Sequence, residues 1–158
     1  MSAFSAVAKV VHAARWSSHQ YAAPVTEPID LADRFARFSE TWSPKVIAHL
    51  NDYEIKVVRL AGEFVWHSHD DTDELFLVID GHLTIQLRPD DGGDVQVGPG
   101  QMFVVPRGVE HCPRTDGEVR AMLIEPAGVV NTGDAGGALT ARYDDSLTGP
   151  SSSVGEVD

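Results

Sequence analysis

The sequence predicts an all-β antiparallel sandwich or barrel behind a short helical arm, and three observations point there. From about Asn51 the apolar spacing changes from helical to a period of two. The runs that follow are short, bounded by Gly, Asp or Pro, and spaced at roughly 8–12 residues, as in sandwiches and barrels. Between two of them lies Asp80-Gly81, a strong signal for a tight hairpin.

Taken in order, residues 3–15 place Phe4, Val7, Val10, Val11 and Ala14 at helical spacing, which predicts a short amphipathic helix. Trp16 to Pro28 reads as an extended linker. A second short helix is expected after Pro28, with Asp30 as its N-cap and Leu31, Phe35 and Phe38 on its apolar face, ending at Ser43-Pro44. These segments form an N-terminal arm, residues 1–50. The strands expected beyond it are Glu54–Leu60, Glu63–His69, Glu74–Asp80, Leu83–Arg88, Val95–Val97, Met102–Val105, His111–Arg114 and Arg120–Glu125, with a longer turn over residues 88–94. Together they make a barrel domain over residues 51–127. Residues 128–158 form a C-terminal extension rich in Gly, Ala, Thr and Asp, and its last stretch, LTGPSSSVGEVD, has little to bury and reads as a mobile tail.

Bulk properties narrow the function classes. The 12 basic residues face 24 acidic ones, a net charge of -12 that repels phosphate backbones and anionic lipids, so neither nucleic acid nor a membrane surface is an expected partner. Solubility alone accounts for the acidity. A single cysteine, Cys112, allows no internal disulfide and suits a reducing, cytoplasmic setting. At the N-terminus Lys9 interrupts the apolar stretch, so no signal peptide is expected, and no window has the apolar length of a membrane span.

His67 and His69 stand two apart in an extended segment, so both project from one face. Glu74 opens the next strand and can turn its carboxylate onto that face across the Asp70-Asp71-Thr72-Asp73 turn. Imidazole and carboxylate are ligands for divalent transition metals, although a strand histidine is as readily a packed or exposed residue. Further on, the turns at Gly98-Pro99-Gly100 and Pro106-Arg107-Gly108 can return the chain to the same end, bringing His111 near; the alternative is an exposed loop histidine.

Two segments together resemble the paired motifs of the cupin superfamily. Gly62-Glu-Phe-Val-Trp-His67-Ser-His69, with Glu74 and Gly81, resembles the first; Gly100, Pro106, Gly108 and His111 resemble the second. The resemblance covers roughly residues 52–127 and implies a double-stranded β-helix (jelly-roll) barrel. Position by position, it implies His67, His69, Glu74 and His111 as ligands of one divalent metal, with Mn, Fe, Ni, Zn and Cu all compatible. The segments FSETWSPK, WHSHDDTDELF and LIEPAGVVNTGD are similar to small bacterial cupins described as mannose-6-phosphate-isomerase-like. Two departures stand out: Gly62 precedes His67 by one residue fewer than the usual spacing, and Thr115 stands where many second motifs carry Asn.

Such a ligand set would leave about two octahedral positions open, which suits a catalytic site more than a structural one. Cys112, next to His111, should point away from the metal as a buried structural thiol. Asp73 is expected to cap its turn, with support of a ligand histidine as the sharper alternative. Arg107 either meets an acidic substrate or is solvated, and Trp66 faces away from the site. His12, His19, His49 and His82 have no spaced partners. The leading functional expectation is therefore a metal-dependent enzyme with oxygenase- or isomerase-type chemistry on a small organic molecule. The alternative is a non-catalytic binding or sensing module using the same pocket. A metal-free epimerase is disfavoured, because all four ligand positions hold competent residues. Apolar residues on both faces of Glu74–Asp80 require cover on both sides, and the resemblance implies a homodimer.

Overall fold

Asp30 caps the first helix through its side chain, which accepts from the backbone N–H groups of Ala32 and Asp33 at 2.8 and 3.2 Å. This helix, α1 (Leu31–Ala36), ends well before Ser43, and Phe38 lies beyond it yet stays buried, 5.9 Å ring to ring from Phe35. The computed structural model describes residues 27–149, so the expected helix at 3–15, most of the linker after it, and residues 150–158 lie outside the described part. None of the helices described is long and apolar enough to cross a membrane.

Seven strands follow: β1 (Lys45–Leu50), β2 (Tyr53–Glu63), β3 (Glu74–Asp80), β4 (Leu83–Leu87), β5 (Val95–Val97), β6 (Met102–Val105) and β7 (His111–Pro126). All pair antiparallel in the order β1-β2-β7-β3-β6, with β4 joining β7 on one side and β5 on the other. β7 belongs to both halves of the barrel. Its first residues, His111–Arg114, pair with β4, whereas Arg114, Thr115 and the residues from Val119 onward pair with β2 and residues from Arg120 onward with β3.

Three element expectations are corrected. Residues 45–50, assigned by sequence to the arm, form a strand joined to β2 by the two-residue turn at Asn51-Asp52. The expected strand at 63–69 is absent: β2 runs on to Glu63, and beyond it only His67 makes a ladder contact, an isolated bridge to His111. The two strands expected at 111–114 and 120–125 are one, because ladder partners on β2 carry β7 through Asp116-Gly117, with Gly62 opposite Thr115 and Glu63 opposite Arg114. The β2 ladder shifts register between Leu60 and Gly62, and Thr115 Oγ1 accepts the Gly62 N–H at 3.1 Å.

Alternation on the strands builds two apolar clusters on opposite sides of the sheet. Inside the barrel, Val58 and Leu60 of β2, Phe76 and Val78 of β3, Leu83 and Ile85 of β4, and Val119, Ala121 and Leu123 of β7 pack with Trp42 and Phe64. Outside, Phe35 and Phe38 cover Ile47 and Val57, together with Ile55, Ile79 and Met122. The expected Asp80-Gly81 hairpin is likewise corrected: β3 and β4 do not pair with each other, and each pairs β7 over a different stretch. Gly81 serves the turn between them, because a Cβ there would lie 2.8 Å from the Glu118 carbonyl oxygen, at a φ of 86°.

Beyond Pro126 the chain folds back as a strap. Its Leu147 joins the outer cluster and hydrogen-bonds Val46 through N–H···O at 2.7 Å, so this part of the tail is packed, contrary to the sequence expectation. Asn131 ties the strap to itself and to the barrel: its amide nitrogen donates to the carbonyls of Trp42 and Leu139.

Candidate metal centre

The stretch after β2 places its histidines through backbone contacts rather than through a strand. His67 and His111 exchange N–H···O bonds of 3.0 and 2.9 Å, fixing the first motif against the start of β7. Each ring then meets the carbonyl two residues before it: His67 Nδ1 lies 3.0 Å from the Val65 oxygen, and His111 Nδ1 lies 3.1 Å from the Val109 oxygen. A neutral imidazole that donates from Nδ1 presents an unprotonated Nε2, the form a metal takes.

Those nitrogens converge on Glu74, the first residue of β3. Its Oε2 lies 2.8 Å from His111 Nε2, 3.3 Å from His69 Nε2 and 3.7 Å from His67 Nε2. All four side chains are buried, at 1% exposure for His111, 2% for His67, 6% for Glu74 and 8% for His69. One ligand atom from each of His67, Glu74 and His111 falls within 4.8 Å of the others. His69 stands at the rim of that set, its ring centroid 5.2 Å from His67 and 6.2 Å from His111.

Electrostatics follow from the crowding. Burial favours the neutral carboxyl of Glu74, but the imidazole rings of His111, His67 and His69 crowded round it outweigh that and hold its pKa well below the usual range. Burial likewise disfavours a charged His69, yet the Glu74 carboxylate raises its pKa above the ordinary value. The Nε2 atoms of His67 and His69 are buried without a hydrogen-bond partner. Unsatisfied buried nitrogens around an ionised carboxylate are costly unless something electrophilic meets them. The residues fit a divalent cation.

The neighbouring side chains fall in place around this set. Cys112 is buried, its thiol 3.5 Å from the Phe64 carbonyl, and burial pushes its pKa up to about 11, so it is no nucleophile. Asp73 accepts the Arg107 N–H at 2.9 Å, which ties the first-motif loop to the Pro106–Gly108 turn and leaves the Arg107 side chain exposed. Trp66 lies under the Arg88 guanidinium, 3.7 Å from its ring centre.

Sequence reasoning missed a second buried polar group. Lys56 Nζ sits 2.8 Å from Glu125 and 3.1 Å from Glu54, with all three side chains buried. Burial, then the Glu74 charge, drives the Glu125 carboxyl up to about 7 against the pull of Lys56. Strand parity carried the signal: Glu54 and Lys56 share the inward face of β2 with Val58 and Leu60. The strap also went unread as part of the site. Asp134 Oδ1 accepts the N–H of Ser68, between the two motif histidines, at 2.8 Å, and the Asp134 N–H returns to the Ser68 carbonyl at 3.2 Å.

Comparison with known proteins places the fold in a family. The cupin-domain family profile matches residues 56–125. A cupin-2 domain-containing protein of Shewanella frigidimarina is 47% identical, with 62% of this chain and 93% of that one covered at a TM-score of 0.59. Protein NMB1881 of Neisseria meningitidis is 31% identical over 63% of this chain and 99% of its own, at a TM-score of 0.57. The uncharacterised protein YdbB of Bacillus subtilis is 29% identical over 86 residues, or 54% of this chain and 68% of that protein. Motifs, barrel and relatives converge, and the chain belongs to the cupin superfamily.

Proposed function

We propose that this cupin is a metal-dependent protein acting on a small organic molecule, with His67, His69, Glu74 and His111 holding one divalent transition metal. The observation that carries the reading is the pair of buried, unpartnered Nε2 atoms on His67 and His69 facing an ionised Glu74. Val65 and Val109 fix the ring orientations of His67 and His111, and Glu74 neutralises part of the cation's charge. Bound there, a divalent metal would supply Lewis acidity, or redox chemistry where the ion permits it. Both oxygenase-type and isomerase-type reactions suit such a site, within or beyond the mannose-6-phosphate-isomerase-like subgroup.

The same set would also serve a non-catalytic binding protein. Calorimetric titration of metal-free protein with Mn, Fe, Ni, Zn and Cu should show one ion per chain, whereas no binding of any of them contradicts the reading. A substrate screen on the loaded protein, with oxygen uptake recorded, then separates the classes: consumed dioxygen marks an oxygenase, an isomeric product marks an isomerase, and neither marks binding alone.

We read residues 51–127 as the barrel proper, extended by β1, with α1 and the 128–149 strap packed on it, in a cytoplasmic protein. A homodimer fits the outward faces of β3 and β6. There Leu75 and Leu77 stand opposite Val104 and Met102, the last two being 42% and 66% exposed on an edge strand.

A further inference from the structure

We propose that Asp134 is a positioning residue for the metal centre: by clamping Ser68 it brings the Gly133 backbone against the His69 ring and holds that ring on the ligand cluster. The proposal rests on the reading of His67, His69, Glu74 and His111 as metal ligands, and adds to it how His69 is held.

His69 has the least support of the four. The rings of His67 and His111 are set by backbone carbonyls 3.0 and 3.1 Å from their Nδ1 atoms. Among the described residues, none hydrogen-bonds His69 Nδ1. Its Nε2 is buried without a partner, and the ligand atoms that gather within 4.8 Å of one another are those of His67, Glu74 and His111. An imidazole with no hydrogen bond of its own has rotamer freedom to lose when a metal binds, unless packing removes that freedom beforehand.

The strap supplies that packing. Asp134 Oδ1 accepts the Ser68 N–H at 2.8 Å and the Asp134 N–H donates to the Ser68 carbonyl at 3.2 Å, so both polar backbone groups between the motif histidines are held. The Gly108 N–H reaches the His69 carbonyl at 2.8 Å, which fixes the backbone there but not the ring. Beside Asp134, a Cβ on Gly133 would lie 2.1 Å from the Ser68 oxygen and 3.3 Å from His69 Cε1. The bare glycine therefore packs against the ring atom between the two nitrogens, and the ring also meets His67 edge-on at 5.2 Å. The turn carrying Gly133 and Asp134 is itself braced. The N–H groups of Gly133 and Ala135 donate to the Val130 and Thr132 carbonyls, both at 2.9 Å. Thr132 is buried with its hydroxyl 2.9 Å from that of Thr140. A braced turn can hold a ring in place where a free loop could not.

Zinc affinity should be measured by chelator competition on the wild type, Asp134→Ala, Asp134→Asn, His69→Ala and His69→Ala/Asp134→Ala, with folding checked by circular dichroism. Asp134→Ala should weaken zinc roughly tenfold to a hundredfold, the range seen when a group that orients a ligand is removed. Asp134→Asn keeps the acceptor without the charge and should bind zinc as the wild type does. In the His69→Ala background, Asp134→Ala should change affinity by less than about twofold, whereas a general loosening of the fold would weaken zinc there too. Metal-free wild type should show an NOE between the His69 ring and the Gly133 α protons. Asp134→Ala binding zinc as tightly as the wild type, Asp134→Asn behaving as Asp134→Ala, or an equal loss in the His69→Ala background overturns the proposal. So does absence of the NOE, which needs no variant to fold. A wild type that holds no zinc contradicts the metal reading instead, and the metal-free NOE then decides whether the strap holds the ring.

Discussion

At the scale of single residues, the site is organised by what each polar atom already has as a partner. His67 and His111 spend Nδ1 on backbone carbonyls, and Glu74 gathers three Nε2 atoms. Glu125 obeys the same logic with the opposite outcome. It faces Lys56 and Glu54 from β2, with the charges of Glu74 and His69 near enough to shift it, and burial leaves its pKa raised to about 7 from 4.5. Between those values the folded chain holds a proton that the unfolded chain has released. The stability it contributes is full below about pH 4.5 and is lost as pH rises through about 7. In metal-free protein, Glu125→Gln should therefore gain on the wild type between pH 5 and pH 8, by at most about 3 kcal/mol at roughly 1.36 kcal/mol per pKa unit. Urea melts at the two pH values measure this, and a constant difference between the proteins contradicts it. The histidine pair was legible because its spacing is local. The Lys56 group was not, since its members meet only through the β2–β7 register, Glu54 opposite Glu125.

Elements show where local signals win and where tertiary pairing overrides them. Asp30 and the apolar runs of β3 to β6 act within a few residues, and the structure follows them, whereas Asp80-Gly81 turns the chain without making a hairpin, because β3 and β4 take other partners. Between the two expected strands β7 instead continues across Asp116-Gly117, where the β2 ladder shifts register between Leu60, opposite Val119, and Gly62, opposite Thr115. β1 carries few alternating residues and owes its strand to pairing with β2 and to the strap, where Val46 N–H reaches the Asp145 carbonyl at 2.8 Å. The strap is the element least visible in sequence, because its Gly- and Asp-rich composition is that of a loop. Its fit is nonetheless close, since a Cβ on Gly133 would fall 2.1 Å from the Ser68 carbonyl oxygen. Asp134→Ala should release this contact and leave the Ser68 N–H without its partner. Amide exchange at Ser68 and Ala135 should then quicken at least fivefold while β7 amides keep their wild-type rates. Unchanged exchange at Ser68 contradicts the role of the strap.

For the whole molecule, the two apolar clusters divide the labour: one fills the barrel, and the other seats α1 and Leu147 on the outer sheet. The outer cover reaches Ile79 of β3, while Leu75 and Leu77 on the same outward face are only half-buried beside exposed Val104 and Met102. A second copy on that face would bury it, against the repulsion of a net charge of -12 per chain. Light scattering should give twice the chain mass at 0.15 M salt, where screening shortens that repulsion to about 8 Å, and Met102→Lys with Val104→Glu should return the single-chain mass. A wild-type monomer at micromolar concentration contradicts the dimer.

The central claim, that four buried side chains hold one divalent metal, is tested most directly by elemental analysis of protein purified from its native cell, wild type beside His67→Ala/His111→Ala. Close to one transition-metal ion per chain is expected in the wild type and less than a tenth of that in the folded double variant. Equal metal content in the two proteins would contradict it.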